Sequence, residues 1–193
     1  NDLALCYLRQ QQLANARKAF FNAAKIDPNL AAAFLNLGAL DLLEQDPASA
    51  EISTRRAIEL SAGDANLWDQ LANALLSQGR AEEALAAYDR AVTLKAGHTV
   101  VWNHRGNALL ELARYADALQ SYDRAISLKP DYAEAWRHRG IAALQAGLIE
   151  DALASFDKAI ALNPDDAVAR EERGNLFMRL HRHAEAVADY DRV

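Results

Sequence analysis

The chain has 193 residues, 51% of them hydrophobic, which is enough to bury a continuous core and argues against disorder. Its formal net charge of −6 leaves no basic field to neutralise phosphates, so neither nucleic acid nor an anionic membrane is an expected partner. A single cysteine, Cys6, excludes an internal disulfide and a cysteine-rich metal site, and no apolar run approaches the roughly 20 residues that span a bilayer.

The first residue is Asn1 rather than a methionine, which points to a piece of a longer protein. No basic segment followed by an apolar one opens the chain, and the expected compartment is cytoplasmic. Lys129-Pro130-Asp131 and Asn163-Pro164-Asp165 stand 34 residues apart, and stepping by that interval brings the whole chain into one register. The repeats are 1–30, lacking its first positions, then 31–64, 65–98, 99–132, 133–166 and 167–193, which is cut short. The register predicts one array over 1–193, with two helices of about a dozen residues in each repeat.

In the first repeat Ala4 precedes Ala16 and Phe20, and Pro28 closes the run. The second opens on Phe34 and Gly38, breaks at Asp46-Pro47, which reads as an N-cap and a first helical residue, and resumes through Ala50, Thr54 and Ala57. The third carries Trp68 and Ala72, breaks at Gly79, and resumes with Ala84, Tyr88 and Ala91. Trp102, Gly106, Ala118, Tyr122, Ala125 and Pro130 mark the fourth; Trp136, Gly140, Gly147, Ala152, Phe156, Ala159 and Pro164 mark the fifth. The sixth puts Arg170 where the others have an aromatic and keeps Gly174, Ala186 and Tyr190. Small residues at the eighth, twentieth and twenty-seventh positions let two antiparallel helices approach closely, and the aromatics are expected to fill the gap against the next repeat. No repeat can bury that face alone, so stacking of neighbours folds the chain.

This pattern resembles the tetratricopeptide repeat family over the whole length, and phrases such as "NHRGNALLELARY" and "SYDRAISLKPD" are similar to bacterial arrays. The resemblance implies an all-α, right-handed superhelical solenoid of helix-turn-helix repeats, curved through less than a full turn. It implies a scaffold that binds protein or extended peptide, without catalysis, cofactor or metal. Trp102, Trp136, Gly106 and Gly140 are framework on this reading.

The family usually has Leu at the seventh position, where Arg105, Arg139 and Arg173 stand here. The residue sixteen earlier is then acidic: Asp89, Asp123 and Asp157. Where the seventh position is Leu37 or Leu71, the earlier residue is Phe21 or Arg55. This rule predicts ion pairs between adjacent repeats, shielded enough to demand a partner.

In the family the first helix of each repeat lines the concave surface, through positions two, five, six, nine, twelve and thirteen. The sixth position reads Asn36, Gln70, His104, His138 and Glu172, and the ninth reads Ala39, Asn73, Asn107, Ile141 and Asn175. Such rows suit an extended peptide, whose backbone groups recur regularly and are costly to leave unpaired. The expected contacts are Asn36, Gln70, Asn73, Asn103, His104, Asn107, Arg137, His138 and Asn175. Arg137 would meet an acid or a carbonyl, and the two histidines would make affinity pH-dependent near neutrality. An apolar row runs beside them at the twelfth position: Leu8, Leu42, Leu76, Leu110, Leu144 and Met178. Leu35, Ala39, Leu42 and Leu43 make the N-terminal end the expected apolar anchor point.

Other chemistry finds no support. His104 and His138 sit on successive repeats, on the order of 10 Å apart, too far to share a zinc ion. His181 and His183 fall in an exposed turn, and Cys6 at a helix-packing position is expected to be an inert buried thiol. No glycine loop cradles phosphate and no serine has a convergent base. Family members that grip chaperone tails use Lys at five and Asn at nine of one repeat, Asn at six of the next, then Lys at two and Arg at six. The first triplet here reads Asn1, Leu5, Asn36, Asn66 and Gln70, and the later ones also lack the cations. The asparagines are similar instead to arrays that recruit substrates to O-linked glycosyltransferases, so a recruiting segment of a larger enzyme is one alternative. Another is end-to-end self-association, because no polar capping helix covers the last repeat.

Overall fold

The computed structural model describes residues 2–192, without the side chains of Leu5, Leu8 and Arg9, and shows twelve helices and no strand among them. They are α1 Asp2–Arg9, α2 Leu13–Ile26, α3 Ala31–Leu43, α4 Pro47–Leu60, α5 Ala65–Leu76, α6 Ala81–Leu94, α7 Thr99–Glu111, α8 Tyr115–Leu128, α9 Ala133–Gln145, α10 Ile149–Leu162, α11 Ala167–Arg179 and α12 His183–Tyr190. Odd and even helices are the first and second helices of the six repeats. The chain forms two compact halves, one up to Ala96 and one from Gly97. None of the described helices is long and apolar enough to cross a bilayer.

The helices end where local chemistry dictates. Asp46 caps α4 by accepting from the Ser49 N–H at 3.1 Å, with Pro47 in the first turn, and Asp64 and Asp166 cap α5 and α11. The turn inside each repeat is the same all six times. Its fifteenth residue has positive φ: Gln11, Gln45, Gly79, Ala113, Gly147 and His181. The following N–H donates to the carbonyl five residues back, as Arg114 does to Leu109 at 2.8 Å and Leu148 to Ala143 at 2.8 Å. This is the Schellman closure of a helix, and only two of the six positions use glycine for it.

In the N-terminal half, Ala4, Ala16, Phe20, Leu37 and Leu40 form a buried cluster with Phe34 and Tyr7 packed against it. Cys6 lies two residues from Ala4, about 200° round α1 by helix geometry, and is exposed rather than buried as expected. In the C-terminal half, Ala143, Ala152, Phe156, Ala159, Ala169 and Leu176 form the equivalent cluster. The aromatic at the twenty-fourth position packs on its own repeat's eighth residue. A Cβ added to Gly106 would stand 2.4 Å from the Tyr122 ring, and one on Gly140 would stand 2.6 Å from the Phe156 ring. The eighth position is therefore small because an aromatic ring occupies its side-chain space.

In three repeats the fourth position is held by a hydrogen bond as well as by packing. Trp68 Nε1 donates to the Ala62 carbonyl at 2.8 Å and Trp136 Nε1 to the Pro130 carbonyl at 2.9 Å. Arg170 in the sixth repeat reaches the matching Pro164 carbonyl through Nη2 at 2.8 Å.

Candidate peptide-binding face

The first helices of successive repeats touch within each half, α3 with α5 and α7 with α9. On this face the ninth-position asparagines share one arrangement. The Tyr88 hydroxyl donates to Asn73 Oδ1 at 2.7 Å, Tyr122 to Asn107 Oδ1 at 2.8 Å and Tyr190 to Asn175 Oδ1 at 2.8 Å. Burial, and then the Glu134 carboxylate, raises the Tyr122 hydroxyl above its ordinary pKa, so it remains a donor. With the carbonyl side engaged, the three amide NH2 groups make no hydrogen bond among the described residues.

Several expected contacts have other work. Asn103 is fully buried: its Nδ2 lies 3.4 Å from Glu134 Oε1 and its Oδ1 lies 3.1 Å from His138 Nδ1. Gln70 is also buried and donates to the Leu35 carbonyl at 3.0 Å, tying α5 to α3. Both side chains are buried where they tie successive repeats together. Arg137 Nε lies 3.2 Å from Asp166 Oδ2, a contact whose geometry is ionic rather than a directed hydrogen bond. An acid for Arg137 is supplied here by Asp166, the last residue of its own repeat.

The His138 ring lies 5.9 Å from the Tyr122 ring centroid. Burial, with the Arg137 charge adding to it, pushes the imidazole down to about 4 against the pull of Glu134 and Asp166. Near neutrality it is uncharged, which corrects the expected pH-dependence at this residue. His104 is half-buried, and Asn36 donates to the Ala32 carbonyl at 2.8 Å. Of the apolar anchor, Leu35 and Leu42 are half-buried and Leu43 is exposed. Leu8 of the apolar row, and Asn1 and the Leu5 side chain of the first clamp triplet, lie outside the described residues.

The predicted bridges form at Arg139, whose Nε is 2.7 Å from Asp123 Oδ1, and at Arg173 with Asp157. They are less shielded than expected, since Asp123 is 56% and Asp157 is 61% exposed. Each arginine also reaches sixteen residues forward. Arg105 donates to Ser121 Oγ at 2.6 Å, Arg139 to Ser155 Oγ at 2.7 Å and Arg173 Nε to Asp189 Oδ2 at 2.8 Å. The second partner was not read from the sequence, although a serine or aspartate follows at that spacing each time.

No cluster of three potential ligands among the described residues is placed to hold a metal ion. Two family models described as Tetratricopeptide repeat match, one over residues 104–167 and 140–193 and the other over 65–106. The chain belongs to the tetratricopeptide repeat family. Its fold is shared by PilW, described as a widely conserved type IV pilus biogenesis factor: TM-score 0.89 at 20% identity, covering 97% of this chain and 87% of that one. MamA from Desulfovibrio magneticus RS-1 gives a TM-score of 0.76 at 21% identity over 83% of this chain and 91% of its own. YrrB, described as a TPR protein with an unusual peptide-binding site, gives 0.73 at 23% identity over 86% of each. A comparison with curated protein sequences returns no match. The chain is thus an all-α helical-repeat array of the kind that serves as a scaffold for protein interaction.

Proposed function

We propose that the first-helix face binds an extended segment of a partner protein, whose backbone carbonyls accept from the ninth-position amides. The observation that carries this reading is the tyrosine–asparagine pair, which within its own repeat engages each amide oxygen and leaves the NH2 group without an acceptor among the described residues. In this reading Asn73 offers such a donor in the N-terminal half, and Asn107 and Asn175 do so in the C-terminal half. His104 and Asn36 at the sixth position, with Leu35, Leu42 and Leu43, supply the further contacts. The YrrB description lends support by likeness of fold.

The test is Asn73→Asp, Asn107→Asp and Asn175→Asp together. Aspartate keeps an oxygen for each tyrosine but replaces the outward donor by an acceptor. Peptides selected on the wild-type chain from a displayed library should lose binding to the triple variant, with circular dichroism unchanged. Equal binding to both proteins, or no enrichment on the wild type, would overturn the reading.

A further inference from the structure

A second docking surface lies in the N-terminal half, away from the first-helix amides. Between the second helices α2 and α4, above α3, is a cavity of about 670 Å³. Phe34 and Leu37 form its floor; Phe21 and Ile52, 63% and 71% exposed, stand on α2 and α4 at its rim. Two large apolar side chains held out in water across one groove are an unpaid hydrophobic cost that a partner would relieve.

The groove exists because a bridge is missing. At the equivalent place between α8 and α10, Asp123, Arg139 and Ser155 tie three helices together, and between α10 and α12 Asp157, Arg173 and Asp189 do so. Between α2 and α4 the first two members are Phe21 and Leu37 instead, and Ser53 is turned to Asp41 at 3.1 Å.

The charges around the groove identify what it takes. Arg17, Lys25 and Arg56 line it against one acid, Asp41, which is buried and already held by Arg17 at 2.6 Å. Among the described residues Lys25 has no ion pair, and Arg56 lies 5.9 Å over the Phe34 ring and pairs with the exposed Glu59. A basic rim on a chain of net charge −6 is complementary to carboxylates. We propose that this groove docks an acidic amphipathic segment of a partner protein, its apolar stripe seated between Phe21 and Ile52 and its carboxylates on Lys25 and Arg56.

The probes are two fluorescein-labelled synthetic helical peptides with the same leucine stripe, one flanked by glutamates and one by lysines, followed by fluorescence anisotropy. The glutamate peptide should bind at least about tenfold more tightly than the lysine peptide. Ile52→Asp should weaken it about tenfold or more, and Lys25→Glu should narrow the preference. Asn107→Asp should leave it unchanged, which separates this surface from the one proposed above. Both substituted side chains, Ile52 and Lys25, are exposed, and circular dichroism checks that the variants remain folded. Equal binding of the two peptides, no binding to the wild type, or binding that survives Ile52→Asp would overturn the proposal. So would sedimentation showing a dimer that Ile52→Asp dissolves, which would assign the groove to a second copy.

Discussion

The same place in the repeat is built in two ways, with Leu37 and Phe21 between α2 and α4 and with Arg139 and Asp123 between α8 and α10. The leucine is nearly buried and belongs to a core cluster, yet it is too short to span the gap between second helices, so a cavity remains above it. The arginine spans the gap with its stem and ends in two directed hydrogen bonds, to Asp123 and Ser155. Its aspartate is more than half exposed, so the ion pair itself contributes little; the gain is coverage and register. A short apolar filler therefore stabilises more and closes less than a long charged one.

Truncating both residues breaks the comparison most strongly. Leu37→Ala should cost about 2–3 kcal/mol by loss of buried methyl groups, whereas Arg139→Ala should cost about 1 kcal/mol. Urea unfolding of the two variants measures the difference, and equal costs would refute it.

Acid should separate the halves next. The folded pKa of His138 is depressed to about 4, below the ordinary 6.5, so its neutral form is the one the fold accommodates. The unfolded chain binds the extra proton, and stability present above pH 6.5 is lost as pH falls toward 4, by up to roughly 3 kcal/mol. The matching sixth-position residues of the N-terminal half, Asn36 and Gln70, do not titrate. Hydrogen exchange at pH 7 and pH 4.5 should show the added opening in the C-terminal half, and His138→Gln should flatten the slope.

Exchanging the two designs sharpens the comparison at smaller cost. Phe21→Asp with Leu37→Arg should remove one apolar side chain from the rim and one from the floor and abolish binding of the glutamate peptide, with stability changed by about 1 kcal/mol. Ser53 already occupies the place that Ser121 and Ser155 fill elsewhere. The smallest effect is expected at the turns. Ala113→Gly, at φ 55°, should stabilise by about 0.5–1 kcal/mol and Gly147→Ala, at φ 77°, should do the opposite, both read as shifts in the urea midpoint.

The repeats, the Asp46-Pro47 start and the Gly79 and Gly147 stops were legible because each depends on residues close in sequence. The Arg139 and Arg173 bridges were legible because their partners recur at a fixed spacing. The use of the polar row was not, since whether an amide faces a ligand or a neighbour is decided by a residue 15 or 35 positions away. One signal was available: Asn stands at the ninth position wherever Tyr stands at the twenty-fourth, Ile141 faces Phe156, and Ala39 faces Thr54. The α2–α4 groove was hidden for another reason. Phe21 and Leu37 obey the apolar branch of the bridge rule, and only coordinates reveal that obeying it leaves space.

Arg170 carries a consequence for recognising such repeats. It looks like a broken signature, a cation where four others have a ring, yet it delivers N–H groups to the same carbonyl that Trp68 and Trp136 reach in their repeats. Residue type is thus a proxy in these three repeats for a donor at one reach, and where Phe34 offers no donor the matching Pro28 carbonyl accepts from Arg56 Nη2 at 3.4 Å instead. A comparison scored by which backbone acceptor is answered counts the sixth repeat in full.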